Sequence, residues 1–305
     1  MRIYYTDHFE LPLPEGHRFP MDKYRRLRQR IVTADEHRQD SLIVPPAASK
    51  DQLLLCHTPR YVRAVMDGTL NDREIRRIGF PWSTRMVERS RRSTGATLAA
   101  CRAALDDGVS VNLAGGTHHA MSDAGEGYCV FNDAAVAVRV LQYEGQIKRA
   151  CIIDLDVHQG NGTAEIFGGD PTVFTLSLHG VKNFPLRKSP SDIDIDLEDA
   201  TDDEAYLSAL HRSLESVAKA GPYDLAIYLA GADPYRHDRL GRLDLTKNGL
   251  AERDRVVLHW CQIHSLPLAV AMAGGYAPNV VDIVDIHAMT VRLASQHNKM
   301  VSSAR

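Results

Sequence analysis

Aspartate and histidine residues follow several short apolar runs of this 305-residue chain, in combinations that could bind a metal ion. Asp156 and His158 stand two residues apart directly after one run. In an extended segment residues i and i+2 point to the same side, so both side chains can face one ion. Asp233 follows a later run and would complete the set. Three protein ligands with an open position are typical of catalytic zinc, and two carboxylates also suit Fe(II) or Mn(II).

The adjacent residues His118 and His119 could supply a general base beside such a metal. Two aspartates cancel the charge of a divalent cation, so water bound there would be acidified less than at a three-histidine site. A separate base then helps, and an imidazole with a pKa of about 6.5 suits the role. Each imidazole needs a partner on its other nitrogen, and Asp154 and Asn161 flank the metal motif.

Tyr276 follows two glycines, Gly274 and Gly275, and could donate a hydrogen bond to a developing oxyanion. A metal, a histidine base and this phenol together predict attack of water on a carbonyl, which is amide or ester hydrolysis. The simpler interpretation is that the aspartates cap helices and that His158 is a core histidine. The coincidence of all these residues after predicted strands favours the chemical interpretation.

Five apolar runs and the segments between them must position these residues. Runs without polar alternation predict strands of a parallel sheet that is covered on both faces. The runs are 110–113, 150–155, 172–178, 224–230 and 266–272. Segments 132–143, 201–219 and 246–264 predict helices, and the pair Thr201 and Glu204 predicts a capping box. This alternation predicts an α/β fold, in which ligands bind beyond the carboxyl ends of the strands.

Composition excludes several classes of protein. Apolar residues make up 44% of the chain, which is ordinary for a globular protein. The 36 basic and 39 acidic side chains give a net charge of −3, which argues against broad nucleic-acid binding. The most apolar stretch, 266–272, is far shorter than the ~20 residues of a membrane span. Five cysteines without a CxxC pair fit the reducing cytoplasm. Without repeats or long linkers, we expect one domain over residues 1–305.

Ten arginines lie between Arg60 and Arg102. A solvated helical face explains such a stretch most simply, and a patch for an acidic partner is the alternative.

The motifs together resemble those of the histone deacetylase superfamily over nearly the whole chain. They are Gly-Gly-Thr-His-His at 115–119, Gly-Tyr-Cys-Val-Phe-Asn-Asp at 127–133, Asp-Leu-Asp-Val-His-Gln-Gly-Asn-Gly at 154–162, Ser-Leu-His at 177–179, Gly-Ala-Asp at 231–233 and Gly-Gly-Tyr at 274–276. Segments 16–21, 156–161 and 183–185 resemble the class IV (HDAC11-like) branch and its bacterial relatives. Ala273 stands where the family has a third glycine, which bears on the geometry of that turn.

The resemblance implies a zinc-dependent lysine deacylase with an arginase/deacetylase-like three-layer α/β fold around a central, mainly parallel, eight-stranded sheet. It implies that Asp156, His158 and Asp233 hold zinc, with Fe(II) as the other metal to consider. The catalytic residues that it implies are His119 as general base and then acid, His118 as its electrostatic partner, Tyr276 polarising the acyl carbonyl, Asp154 orienting His118 and Asn161 orienting His119.

The resemblance also implies a substrate tunnel and structural potassium. The residues assigned to substrate binding are Gly127, Tyr128, Phe184, Gly274 and Gly275, although plain core packing would also explain the two aromatic side chains. One potassium ion would bind through Asp154, Asp156, His158, Ser177 and Leu178. A second would bind near Phe167, Asp170 and Val173.

Three functions follow from these observations. The first is removal of acetyl or longer acyl groups from lysine in a protein or peptide. The second is the same reaction on a small acylated amine such as an acetylpolyamine, for which we expect extra acidic residues at the rim. The third is a non-catalytic acyl-lysine-binding protein, which the complete set of catalytic residues disfavours. The sequence does not set the acyl-chain length, the native metal or the oligomeric state.

Overall fold

Ten α-helices and eight β-strands make up the chain in a computed structural model, which describes the backbone of residues 1–303 and the side chains of residues 1–299. The strands are β1 (Arg2–Tyr4), β2 (Ser41–Ile43), β3 (Val109–Asn112), β4 (Ala150–Asp154), β5 (Val173–Gly180), β6 (Ile193–Leu197), β7 (Leu225–Leu229) and β8 (Leu268–Ala271). The helices are α1 (Asp22–Thr33), α2 (Lys50–Leu54), α3 (Pro59–Asp67), α4 (Asp72–Ile78), α5 (Thr84–Asp107), α6 (Asp133–Tyr143), α7 (Asn161–Phe167), α8 (Asp203–Ala220), α9 (Lys247–Ile263) and α10 (Val280–Ser303). A 3-10 turn covers Asp35–His37.

The eight strands form one sheet in the order β2-β1-β3-β8-β7-β4-β5-β6. All seven neighbouring pairs are parallel, so the sheet is wholly parallel rather than mainly parallel. Successive residues of β4 enter opposite layers, with Cys151 and Ile153 in one hydrophobic cluster and Ala150 and Ile152 in the other. Both faces are therefore buried, as the uninterrupted apolar runs predict.

All five strands predicted from the apolar runs are present, and three further strands are not evident in the sequence. Strands β1 and β2 have three residues each, which is too short to give a pattern. Strand β6 lies at the edge of the sheet and reads Ile-Asp-Ile-Asp-Leu, so its polar residues interrupt the apolar signal. Edge strands need only one buried face, and alternation is the expected result.

The three predicted helices are present as α6, α8 and α9, and their caps show how local sequence sets their ends. Asn132 and Thr246 cap α6 and α9 by accepting backbone N–H groups at 3.0 and 2.9 Å. The capping box predicted at Thr201 is wrong, because Asp202 caps α8. The Thr201 hydroxyl instead donates to the carbonyl of Glu198 at 2.7 Å and closes the preceding turn.

Among the residues that the structure describes, no helix has both the length and the apolar character that a membrane span requires.

Candidate active site

Asp156, His158 and Asp233 meet at the carboxyl edge of the sheet, where one ligand atom from each lies within 4.8 Å of the others. The expected extended backbone is wrong here, because β4 ends at Asp154 and the next residues bend. His158 Nδ1 lies 2.9 Å from Asp156 Oδ1 and 3.3 Å from Asp233 Oδ2. All three residues are buried. The bend therefore brings together the side chains that the sequence assigns to a metal.

The surroundings of these carboxylates fit a cation. Asp233 Oδ2 is buried without a hydrogen bond, although the other oxygen of Asp233 accepts the N–H of Val157 at 2.9 Å. A Cβ atom at Gly274 would collide with this free oxygen and would lie 2.5 Å from Asp156 Oδ2. A buried carboxylate oxygen normally has a partner. An unpartnered acceptor, a second carboxylate and an imidazole make a donor set suited to a divalent transition metal.

The loop that carries His118 and His119 is held by the carboxylate of Asp133, the first residue of α6. Its two oxygens accept the backbone N–H groups of Gly116 at 2.9 Å and Thr117 at 2.7 Å. Gly116 has a φ of +71°, and a Cβ there would lie 2.4 Å from the Cα and Cβ atoms of Ala273, so this position requires glycine. These contacts fix the backbone directly before the two histidines.

Each of the two histidines has a different partner. His118 Nδ1 lies 2.6 Å from Asp154 Oδ2, and His119 Nδ1 lies 2.7 Å from Asn161 Oδ1. Burial alone would lower the pKa of His118, but the charges of Asp154 and Asp156 raise it to about 9. Burial and the neighbouring imidazoles hold the pKa of His119 well below 6.5. His119 is therefore neutral near pH 7 and able to accept a proton.

Replacing Asn161 with aspartate is expected to move the acidic limb of the pH–rate profile to higher pH. A carboxylate in that position would raise the pKa of His119, as Asp154 does for His118, by roughly one to three units. A protonated His119 accepts no proton, so hydrolysis at pH 7 should fall and recover as the pH rises. The measurement is kcat/KM between pH 5 and 9. An unchanged profile would show that Asn161 does not tune this histidine.

Tyr276 lies beside the metal-ligand set, with its ring centroid 6.2 Å from that of His158. Its backbone N–H donates to Asp238 Oδ2 at 2.6 Å, and this carboxylate also accepts the N–H groups of Leu240 and Gly241. Burial and the charges of Asp156 and Asp233 keep the pKa of the Tyr276 phenol well above its usual value of 10. The phenol therefore stays protonated and can donate a hydrogen bond.

A cavity of about 500 Å³ opens from these residues to solvent. His119, His158 and Tyr276 lie on its wall together with Tyr128 and Phe184. The Phe184 ring meets the His119 ring edge-on, at 4.9 Å between centroids. Of the other residues assigned to substrate binding, Gly127 lies on the wall and Gly274 lies against the two aspartates. Gly275 is not among the residues on this wall, and a Cβ there would contact Ala232 and Ile283.

A smaller cavity of about 30 Å³ lies on the inner side of the same residues. Its wall includes Gly115, Gly116, Arg89 and Tyr276. Such a volume holds roughly one or two groups of the size of water.

The structure places the residues of the first predicted potassium site together. Asp154 and Ser177 are register partners on neighbouring strands, Leu178 follows, and Asp156 and His158 lie just beyond β4. At the second predicted site, the Phe167 carbonyl accepts the N–H of Asp170 at 2.9 Å, and the Asp170 carbonyl accepts that of Val173 at 3.3 Å.

The side chain of Asp170 has a cationic partner within the chain. Arg139 Nη1 lies 2.7 Å from its carboxylate, and the guanidinium stacks over the Phe167 ring at 4.8 Å.

Arg253 in α9 supports both metal-ligand loops, a role that could not be predicted from the sequence. Its Nη1 donates to the carbonyls of Gly231 at 2.6 Å and Leu155 at 3.3 Å, next to or near two of the aspartate ligands. Its Nη2 lies 2.8 Å from the buried carboxylate of Asp254, which also accepts the Thr290 hydroxyl at 2.6 Å. Leu155 and Gly231 lie 98 and 22 residues from Arg253 along the chain, so no local motif reveals these contacts.

Replacing Arg253 with methionine is expected to lower the free energy of unfolding by roughly 3–5 kcal/mol, because it leaves the buried Asp254 charge unpaired. Arg255 is a matched control, since it lies two residues away and its exposed side chain pairs with Glu252 at 3.0 Å. Arg255→Met should cost less than about 1 kcal/mol. Urea unfolding compares the two variants. Equal losses would contradict the role assigned to Arg253.

Comparisons with known proteins agree with this geometry. The histone deacetylase domain model matches residues 17–291. An uncharacterised protein of Picosynechococcus is 42% identical over 292 residues, which cover 96% of this chain and 97% of that protein. Histone deacetylase 2 of Arabidopsis thaliana is 27% identical over 88% of this chain and 72% of its own.

The fold is also that of solved members of this group. The crystal structure of a histone deacetylase homologue from Aquifex aeolicus superposes with a TM-score of 0.81 at 25% identity, over 96% of this chain and 83% of that one. The wholly parallel eight-stranded sheet with helices on both faces is thus the arginase-like α/β fold of these enzymes. The chain belongs to the histone deacetylase family.

Proposed function

We propose that this member of the histone deacetylase family is a zinc-dependent hydrolase that removes acyl groups from the side-chain amine of lysine in proteins or peptides. One observation carries the proposal: a buried carboxylate, carboxylate and imidazole set converges with a neutral histidine and a protonated phenol at one end of an open cavity. The rings of His119 and Tyr276 both lie near the ring of His158, at 5.9 and 6.2 Å between centroids.

Asp156, His158 and Asp233 would hold the metal. A divalent cation there would supply a Lewis acid for the acyl carbonyl and would lower the pKa of water. Zinc accepts one imidazole and two carboxylate ligands with an open position, and Fe(II) is the second metal that the same donors suit. Asp154, Asp156, His158, Ser177 and Leu178 would hold the first potassium ion, and of these Ser177 is the register partner of Asp154 at the end of β4.

His119 would act as base and then as acid. Its Nδ1 faces Asn161 Oδ1, so Nε2 is left to take a proton from the attacking water and to return it to the leaving amine. His118 is held by Asp154 and lies with its ring 4.1 Å from that of His119. Its raised pKa keeps a positive charge near the reaction, which favours developing negative charge on the substrate.

Tyr276 would donate a hydrogen bond to the acyl oxygen as negative charge develops on it. The hydrogen bond from its backbone to Asp238 fixes the loop before the chemistry begins, so little reorganisation is needed. Tyr128 and Phe184 would line the path of the lysine side chain, and Gly127 lets that wall approach His119 closely, because a Cβ there would lie 2.7 Å from His119 Cδ2.

The charge of the cavity mouth favours acyl-lysine peptides over acetylpolyamines. The charged residues on the wall of the large cavity include three cations, Arg76, Arg77 and Lys182, and one carboxylate, Glu126. An acetylpolyamine carries its protonated amines beyond the amide nitrogen, where they would face this mouth and be repelled, whereas a peptide with acidic residues near the lysine is attracted. The residues on this wall therefore do not form the acidic rim that we expect of a polyamine enzyme.

The small inner cavity favours short acyl groups. Its volume is about 30 Å³, and its wall includes His118, His119 and Tyr276, so we propose that the acyl chain points into it. An acetyl group needs little room there, whereas an octanoyl or myristoyl chain would require the core to move.

We also propose that the protein belongs to the class IV branch of the family, that it acts in the cytoplasm, and that one catalytic domain covers the whole chain.

A substrate panel tests the proposal. Acetyl-lysine peptides should be hydrolysed better than octanoyl- or myristoyl-lysine peptides, and acidic flanking residues should raise kcat/KM roughly tenfold over basic ones, with the difference shrinking in salt. Acetylspermidine should be a poor substrate. A chelator and Tyr276→Phe should each remove most activity. Activity that survives both, or a preference for acetylspermidine, would overturn the proposal, and binding without turnover would favour the non-catalytic alternative.

A further inference from the structure

Glu126 joins the mouth of the cavity to the buried pair Asn161 and His119. Its carboxylate lies 3.2 Å from the guanidinium of Arg77 and accepts a hydrogen bond from Asn161 Nδ2 at 3.3 Å. The other end of the same amide, Asn161 Oδ1, lies 2.7 Å from His119 Nδ1. Asn161 and His119 are almost wholly buried, whereas the Glu126 side chain is 19% exposed. A chain of contacts thus runs from the rim to the base.

The direction of each hydrogen bond in this chain is set by the ionised carboxylate of Glu126. A carboxylate can only accept, so the amide nitrogen of Asn161 must face it. The amide oxygen must then face His119, and an oxygen can only accept. His119 therefore carries its proton on Nδ1, which leaves the lone pair on Nε2. Without this contact the Asn161 amide can flip by 180°. Its N–H group would then donate to His119 Nδ1, and the imidazole proton would lie on Nε2.

We infer that Glu126 is a positioning residue that fixes the Asn161 amide and, through it, the tautomer of His119 that can act as a base. This inference rests on the proposed function, because it concerns the base of that reaction. Arg77 contacts both oxygens of the carboxylate, Nε with Oε1 and Nη2 with Oε2, each at 3.2 Å. The carbonyl of Arg77 accepts the N–H of Gly127 at 3.1 Å. Arg77 is one of the ten arginines between Arg60 and Arg102, and its pairing with Glu126 is a contact within the chain.

The backbone keeps Glu126 in place independently of its side chain. Its N–H and carbonyl form two hydrogen bonds with Cys129, at 3.0 and 2.8 Å, that close the loop. Side-chain substitutions at Glu126 therefore leave the loop with its main-chain support. Glu126→Gln is the informative variant, since it keeps the shape but can present either an oxygen or an N–H group to Asn161.

The test is the tautomer of His119, read from imidazole 15N shifts in protein labelled at histidine. Spectra of metal-free and zinc-loaded protein are compared, and the His119→Gln variant assigns the signal. Wild-type protein should show a proton on Nδ1. Glu126→Ala and Glu126→Gln should show both tautomers, whereas Arg77→Gln should keep the wild-type form. A wild-type spectrum for Glu126→Ala would overturn the inference.

Kinetics provide the second measurement. Glu126→Ala should lower kcat roughly tenfold, as the loss of a partner behind an active-site histidine commonly does, and should change KM less than twofold. Glu88→Gln, whose glutamate pairs with Arg92 at 2.7 Å away from the site, should behave as wild type. A change in KM alone would assign Glu126 to substrate binding and contradict the inference. If wild-type protein has no activity, the proposed function fails, and the spectra still decide the tautomer.

Discussion

Asp233→Ala is expected to abolish zinc binding and hydrolysis together. The substitution removes the carboxylate whose buried Oδ2 lacks a hydrogen bond and leaves His158 and Asp156 as the only remaining ligands. Loss of a group that merely orients a metal ligand costs roughly 10–100-fold in affinity, so loss of a direct ligand should exceed a hundredfold. The measurements are kcat/KM and zinc affinity by competition with a chelator.

Asp244→Ala is the control for this variant. Asp244 is a half-buried aspartate that pairs with Arg236 at 3.2 Å, outside the metal-ligand set. It should retain zinc and activity. An Asp233→Ala protein that still binds one zinc ion with wild-type affinity would show that the metal lies elsewhere.

His119→Ala is expected to lower kcat by roughly 10²–10⁴-fold with a small change in KM. The side chain is the neutral imidazole on the cavity wall, and its lowered pKa keeps it available as a base at pH 7. The ligands Asp156, His158 and Asp233 remain, so zinc affinity should hardly change. A protein with low kcat and wild-type zinc affinity would show that His119 acts as the base and is not a metal ligand.

His264→Ala controls for loss of an imidazole from the surface, since His264 is exposed after the end of α9. It should be as active as wild type. A His119→Ala protein with full kcat would require another base, and His118 would be the next residue to test because its ring lies 4.1 Å away.

The centre of the fold could be predicted from the sequence because buried parallel strands consist of apolar runs. Strands β3, β4, β5, β7 and β8 satisfy this condition, and they are the strands whose ends carry the site. Strand β6 alternates and β1 is short, so neither was evident. The order of the strands depends on helix packing over long sequence distances, which no local pattern records.

The metal ligands and histidines could be predicted because each follows an apolar run that ends at the same edge of the sheet. The residues that support these side chains could not be predicted from the sequence. Arg253, Asp238 and Glu126 act through contacts with backbone or amide groups far away in the chain, as in the 35 residues between Glu126 and Asn161. Glutamate and arginine are also common at surfaces, so their types alone do not distinguish a buried contact from a solvated one.

The most direct test of the account is a crystal structure of zinc-loaded protein with anomalous diffraction measured on both sides of the zinc edge. The account predicts one strong anomalous peak per chain, bonded to Asp156, His158 and Asp233, with Zn–N and Zn–O distances of roughly 2.0–2.2 Å. A peak bound by other residues, or no peak between these three side chains at saturating zinc, would contradict it.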